Sequence, residues 1–72
     1  MSNLVKRSFS LNGHRTSIAL EAEFWAVLTV LAAADGMRVA ALIARLDAAR
    51  DPTCPLASVL RVHALHADHA VC

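Results

Sequence analysis

The sequence predicts a mainly α-helical fold in which a short N-terminal β hairpin or ribbon precedes three helices. Two observations lead to this prediction: apolar and polar side chains alternate over residues 4–20, and from residue 21 the apolar residues recur with helical spacing. A third observation concerns the oligomeric state. Hydrophobic residues make up 57% of the 72-residue chain, more than one small domain readily buries, so we expect residues 1–72 to form a single domain of an intertwined homodimer.

The predicted β region, at about residues 4–20, is divided by Asn12 and Gly13. An Asn-Gly pair favours a two-residue type I′ turn, because both residues tolerate positive φ. Folding the chain about this turn pairs Leu11 with His14, Phe9 with Thr16, Arg7 with Ile18 and Val5 with Leu20, which brings the apolar residues of both arms to one face. The opposite face then carries mostly polar side chains, from Lys6, Ser8, Ser10, Arg15, Ser17 and Ala19.

The first helix is predicted at about residues 21–35 and is apolar on two faces. One face follows helical core spacing, and it contains Phe24, Val27, Leu28, Leu31 and Ala32. The other face contains Trp25, and we expect it to meet another helix of this chain or of a partner. Gly36 is expected to end the helix.

Two further helices are predicted at about residues 38–50 and 55–67, separated by a turn that contains Pro52 and Pro55. No Ser, Thr or Asn residue caps the start of the second helix, so several of its N–H groups are available to an anion near Arg38 and Val39. We expect the core and the dimer interface to be formed by ten residues. They are Thr16, Ile18, Leu20, Phe24, Trp25, Leu28, Leu31, Leu42, Ile43 and Leu46.

The charge is unevenly distributed along the chain, although the net charge is only +1. Lys6, Arg7 and Arg15 give residues 1–20 a charge of +3, whereas four arginines and six acidic residues give residues 21–72 a charge of −2. A basic β region suits the binding of phosphate groups. Arg7 falls on the apolar face of the hairpin, where we expect it to pair with Glu21 or Glu23 or to extend into solvent.

Other kinds of site find little support in the sequence. We find no arrangement of residues for nucleophilic or acid–base catalysis, so we expect no enzyme activity and no cofactor. His63, His66 and His69 lie three residues apart and fan over about 120° of a helix, so we expect no metal site there. No signal peptide or membrane span is visible, and Cys54 and Cys72 are expected to be free thiols, which together predict a cytoplasmic protein without membrane partners.

The order of strand, helix, glycine turn and helix resembles the ribbon-helix-helix family of DNA-binding proteins. The stretch from Arg15 to Leu20 is similar to the family's ribbon strand, and Gly36 is similar to the turn between its helices. The longer string from Lys6-Arg7-Ser8 through His14-Arg15-Thr16-Ser17 to Phe24-Trp25, with Ser58 to Val62, resembles a bacterial subfamily of short, predicted DNA-binding members. The resemblance covers about residues 4–65.

The resemblance implies that two chains form an antiparallel ribbon that enters the major groove of double-stranded DNA, so that the protein regulates transcription as a repressor. The implied DNA-binding residues are Lys6, Arg15, Ser17, Ala19, Arg38 and Val39. Ala19 offers only a methyl group, which weakens direct readout, and higher assembly on DNA remains open. Two alternatives on the same fold also remain open, namely a dimeric adaptor that binds a protein partner and an antitoxin-type DNA-binding protein.

Overall fold

A computed structural model describes residues 4–65 of the chain as two strands followed by three helices. The predicted fold class is confirmed, and the first two helices lie within one residue of the predicted bounds. The predicted third helix extends to residue 67, and its last two positions lie outside the described residues. The elements are β1 (Leu4–Leu11), β2 (His14–Glu21), α1 (Ala22–Ala34), α2 (Val39–Ala49) and α3 (Leu56–Leu65).

The two strands form an antiparallel hairpin with the register expected from the sequence. Leu11 pairs with His14, and Val5 pairs with Leu20 at the other end. Asn12 and Gly13 have φ values of 52° and 83°, as a type I′ turn requires. β1 therefore lies beside β2 within the sheet and does not cover its polar face. Within residues 4–65 the sheet has only these two strands, so β1 occupies one edge of β2 and the other edge is free.

One hydrophobic core joins the inner face of the hairpin to the helices. Among the ten residues expected in the core or the dimer interface, six are buried and four are half-buried. The buried ones are Ile18, Leu20, Trp25, Leu28, Leu42 and Ile43. The half-buried ones are Thr16, Phe24, Leu31 and Leu46. The buried cluster also contains Leu11, Ala32 and Leu60. Leu60 lies on α3, so the third helix packs against the same core.

The orientation of α1 differs from the predicted one. Val27, placed in the core stripe by its spacing, is 40% exposed, whereas Trp25 is only 5% exposed. The reason lies in the contacts of Trp25 with β1. Its Nε1–H donates a hydrogen bond of 2.8 Å to the carbonyl oxygen of Val5, and its ring lies 5.8 Å from that of Phe9. These contacts turn the Trp25 face of the helix toward the hairpin.

Arg7 lies on the apolar face of β1, as the register predicted, but it stacks on aromatic rings. Its guanidinium lies 5.6 Å from the centre of the Phe9 ring and 5.1 Å from that of Trp25. Such cation–π contacts contribute about 0.5–1 kcal/mol each at exposed sites. The carboxylate of Glu21, an expected partner, pairs with Arg61 instead. Arg7 thus extends the aromatic cluster at the outer edge of the hairpin.

The turn between α2 and α3 is held by side-chain hydrogen bonds. Arg50 donates to the Asp47 carboxylate at 2.8 Å and to the carbonyl oxygen of Cys54 at 2.9 Å. Asp51 accepts hydrogen bonds from the backbone N–H and the hydroxyl of Thr53. Cys54 itself is buried and disulfide-bonded, so the expectation of a free thiol at this position is wrong.

A helix that spans a membrane needs about 20 consecutive, mostly apolar residues. No single helix within residues 4–65 is long and apolar enough to cross a bilayer. Ala22–Ala34 and Val39–Ala49 meet the criterion only when taken together, and the chain bends by 94° between them. Buried core helices meet the same criterion, so this pair is weak support for a span.

Candidate nucleic-acid interface

The outer face of the hairpin is a polar surface that we call the ribbon face. It is formed by Lys6, Ser8 and Ser10 of β1 and by Arg15, Ser17 and Ala19 of β2. All of these residues are exposed except Ala19, which is half-buried. Because side chains alternate along a strand, the hairpin register alone brings these six residues together, with the core behind them.

Hydroxyl groups occupy the middle of the ribbon face. Ser8 and Ser17 are directly opposite each other in the hairpin, and their Oγ atoms are 3.0 Å apart, which is a hydrogen bond in which either can be the donor. A hydroxyl in such a pair keeps further capacity to donate or accept. The Ser17 hydroxyl is therefore held in place and still able to bind a ligand.

Two cations flank these hydroxyl groups on the ribbon face. Lys6 is opposite Ala19 and Arg15 is opposite Ser10, so the cations lie toward different ends of the hairpin. Neither makes an ion pair with another residue between positions 4 and 65, where the ion-paired basic residues are Arg45, Arg50 and Arg61. Both charges are thus available to an anionic partner.

The carboxylate at the end of β2 is neutralised by the third helix. Arg61 Nε donates a 3.1 Å hydrogen bond to Glu21 Oε1, and the Arg61 guanidinium lies 6.0 Å from the centre of the Phe24 ring. A hydrogen bond from its own backbone, and then the one from Arg61, lower the pKa of Glu21 below its ordinary value. The only acidic residue of the hairpin is therefore charged and paired with Arg61. The electrostatic potential at the ribbon face consequently stays positive.

The start of α2 is a second candidate location for an anion. Arg38 is the extended N-cap residue, and its side chain makes no capping hydrogen bond. Its carbonyl oxygen accepts hydrogen bonds from the N–H groups of Ala41 and Leu42, so those of Val39 and Ala40 precede the first bond of the helix. No acidic residue lies in the first turn. N–H groups that precede the first helical hydrogen bond, beside an arginine, suit a phosphate oxygen.

The predicted DNA-binding residues therefore fall at two locations. Lys6, Arg15, Ser17 and Ala19 share the ribbon face, whereas Arg38 and Val39 lie at the start of α2. The sequence reasoning missed the pairing of Glu21 with Arg61, which are 40 positions apart. One signal could have suggested it, because Arg61 is the single charged residue of the apolar helix α3.

Of the three histidines near the third helix, only His63 lies within the described residues. His63 lies in the last turn of α3, whereas His66 and His69 lie outside the described residues. Between residues 4 and 65, no three His, Cys, Asp or Glu residues are grouped so that they could hold a metal ion.

Comparison with known proteins gives two similarities. The family profile described as the ribbon-helix-helix domain matches residues 4–67. The fold is also similar to the solved structure of an uncharacterized protein from Bordetella pertussis Tohama I, with a TM-score of 0.74 and 38% sequence identity. That match covers 90% of this chain and 55% of the other chain, so this chain spans about half the length of that protein. No curated protein matches the sequence.

Proposed function

The chain belongs to the ribbon-helix-helix family, and we propose that it is a dimeric bacterial regulator that binds double-stranded DNA and represses transcription. Domains of this family bind DNA, and the proposed function involves no reaction and no cofactor. The observation that carries the proposal is the ribbon face, where Lys6 and Arg15 lie beside the Ser8–Ser17 hydroxyl pair.

The free edge of β2 supports dimerisation. In a two-residue hairpin the residues next to the turn are hydrogen-bonded to each other, and this bonding alternates along the strands. The N–H and C=O groups of Arg15, Ser17 and Ala19 consequently point toward the free edge. Unpaired groups of this kind pair readily with a second strand. A second copy of β2 satisfies them and gives a four-stranded antiparallel sheet with the two β2 strands at its centre.

The exposed apolar face of α1 supports the same dimer. Trp25 reaches toward β1, and each helical residue adds a rotation of about 100°, so Val27 and Val30 lie about 200° and about 140° away from it around the axis. They therefore lie on the opposite side of the helix axis from the buried residues Trp25, Leu28 and Ala32. Val27 is 40% and Val30 is 66% exposed, and a partner helix at this side removes them from water.

The residues of the ribbon face suggest how the dimer reads DNA. A two-stranded β ribbon fits into the major groove, where Arg15 can bond guanine O6 and N7 together and Ser17 can donate or accept. Ala19 can only contact a thymine methyl group. The N–H groups at the start of α2, near Arg38 and Val39, would hold a phosphate and fix the orientation of the dimer. Two symmetric ribbons imply a palindromic or repeated half-site.

The test is a binding titration with DNA duplexes at several salt concentrations. We expect affinity to fall steeply as salt rises, because phosphate contacts release counterions. Arg15→Ala should weaken binding to the preferred duplex by about 5–150-fold for each half-site, the range of one bidentate base contact, and both half-sites of the dimer lose that contact. Arg45→Ala is the matched control, since it removes the same charge from a side chain that pairs with Asp35 in solvent, and it should change the affinity less than about twofold.

Absence of salt-dependent binding to every duplex would contradict the proposal. Equal losses from Arg15→Ala and Arg45→Ala would contradict the role of the ribbon face, because they would show a response to total charge alone.

A dimeric adaptor on the same fold is the second candidate. The observation that favours it is the exposed apolar surface, in which Val30 and Leu65 are about two-thirds exposed, together with the small readout capacity of Ala19. Purification of the chain from its host with one stoichiometric protein and no DNA would support the adaptor and oppose the repressor.

A further inference from the structure

The sheet of the proposed dimer is wider than the groove that it is proposed to enter. Adjacent strands lie about 4.8 Å apart, so four strands place the two outermost strand axes about 14 Å apart. The major groove is about 12 Å wide. Two central strands about 5 Å apart fit between its walls, but the flanking strands do not.

We propose that β1 lies over the sugar–phosphate walls of the groove, so that base reading is confined to β2 and phosphate binding is assigned to β1. This inference rests on the proposed function and deepens it. It divides the ribbon face along the chain, because β1 contributes Lys6, Ser8 and Ser10 while β2 contributes Arg15, Ser17 and Ala19. The two-fold axis of the dimer places one β1 strand over each wall.

The side chains of β1 suit contacts with phosphate. Lys6 is exposed and makes no ion pair within residues 4–65, and its ammonium group is a mobile point charge without the fork geometry that recognises guanine. Ser10, opposite Arg15, can donate its hydroxyl to a phosphate oxygen. The two residues are separated by about 13 Å along the strand, so each β1 can contact its wall at two points.

Ser8 has a different role in this arrangement, as a positioning residue for Ser17. Its Oγ atom lies 3.0 Å from that of Ser17, and Ser17 is on the strand that enters the groove. The pair holds the Ser17 oxygen in place before DNA binds. Loss of the Ser8 hydroxyl should therefore change the preference for sequence without changing the dependence of affinity on salt.

The experiment compares the full chain with three variants, Lys6→Ala, Lys6→Arg and Arg15→Ala. The preferred site of each is selected from randomised duplexes, and its affinity is then measured as a function of salt. Lys6→Ala should select the same site as the wild type, weaken all duplexes by the same factor and lower the slope of log affinity against log salt by about 1.8 per dimer. Lys6→Arg keeps the charge and should keep the slope. Arg15→Ala should lose the preference for its base pair.

A second measurement locates the contact on the DNA. Single phosphates of the preferred duplex are replaced by neutral methylphosphonates, and each duplex is tested with the wild type and with Lys6→Ala. A phosphate at the edge of the groove should matter to the wild type and lose its effect in Lys6→Ala, whereas base changes should weaken both proteins equally.

The two proposals fail in different ways. If the wild type binds no duplex, the DNA-binding function is wrong and the inference falls with it. If the wild type binds with salt dependence but Lys6→Ala selects a different site, or leaves the slope unchanged, only the assignment of β1 to the groove walls is overturned. A base change that weakens the wild type but has no effect on Lys6→Ala would overturn it as well, because that result would show that Lys6 contacts a base.

Discussion

At the scale of single residues, the junction between β2 and α1 depends on side chains from distant parts of the chain. Trp25 ties α1 to β1 through its hydrogen bond to Val5, and Arg61 ties α3 to Glu21. The Arg61 guanidinium also lies 6.0 Å from the centre of the Phe24 ring, so the same group contacts a carboxylate and an aromatic ring. These contacts set the angle at which the chain leaves the hairpin and therefore the direction of the ribbon face relative to the helices.

The pairing of Glu21 predicts how stability depends on pH. Its pKa is lower in the folded state than the ordinary value of 4.5, and a hydrogen bond from the Thr53 backbone N–H, then one from its hydroxyl, lower that of Asp51. A carboxylate with a depressed folded pKa stabilises the fold above its unfolded pKa, and this contribution is lost as the pH falls through the folded pKa. We expect the urea midpoint to be constant near pH 6 and to fall below about pH 4.5.

Glu21→Gln should reduce this fall, because glutamine does not titrate. Asp51→Asn is the matched variant, since it removes the other carboxylate of lowered pKa, and the double variant should have the weakest pH dependence in this range. An unchanged pH profile in the double variant would contradict the assignment of the acid sensitivity to these two carboxylates.

At the scale of elements, the hairpin depends on a turn that few residues can form. Gly13 has a φ of 83°, and an added Cβ would meet no atom within 4 Å. The cost of Gly13→Ala is therefore conformational rather than steric, and we expect a loss of about 1–2 kcal/mol in the free energy of unfolding. Asn12→Gly is the control, because glycine adopts the φ of 52° found there and should change stability by less than about 1 kcal/mol.

Urea denaturation monitored by Trp25 fluorescence measures both variants. If Gly13→Ala were as stable as the wild type, the turn would not be type I′ in solution. In that case the register that brings Lys6 and Arg15 to one face would lose its basis.

The hairpin was predictable from the sequence because two independent signals agree on it. The Asn12-Gly13 turn fixes the pairing, and the period of two then decides which side chains share a face, since a shift by one residue would expose Ile18 and Leu20. The ribbon face followed from the same register. It required no knowledge of the helices.

The orientation of α1 was not predictable in the same way. Its residues are apolar nearly all round, so spacing alone does not distinguish the face of Val27 from that of Trp25. The choice is made by tertiary contacts, namely the Trp25 hydrogen bond to Val5 and the packing of its ring on Phe9. The pair of Glu21 and Arg61 was hidden for a related reason, because sequence periodicity carries no information about contacts between distant elements.

At the scale of the whole molecule, a chain of 72 residues leaves apolar side chains exposed that a second copy of the chain could cover. Val27 and Val30 are exposed on the side of α1 opposite its buried face, and one edge of β2 has no strand beside it within residues 4–65. In the proposed dimer a second copy would cover both. The DNA-binding proposal requires this interface, since a single hairpin presents only one Arg15 and one half of a symmetric site.

A charge introduced into this interface tests the dimer directly. Val30→Asp should raise the dimer dissociation constant by at least about tenfold, because burying an unpaired carboxylate against the partner costs well over about 1.4 kcal/mol. Leu65→Asp is the matched control, since Leu65 is 67% exposed, close to the 66% of Val30, but lies on α3. Sedimentation of both variants at several concentrations measures the dimer dissociation constant, and a duplex titration then measures DNA affinity.

We expect DNA affinity to fall together with dimerisation in Val30→Asp and to be retained in Leu65→Asp. Dimers of wild-type strength in Val30→Asp would exclude α1 from the interface, and a greater loss in Leu65→Asp would place the interface on α3.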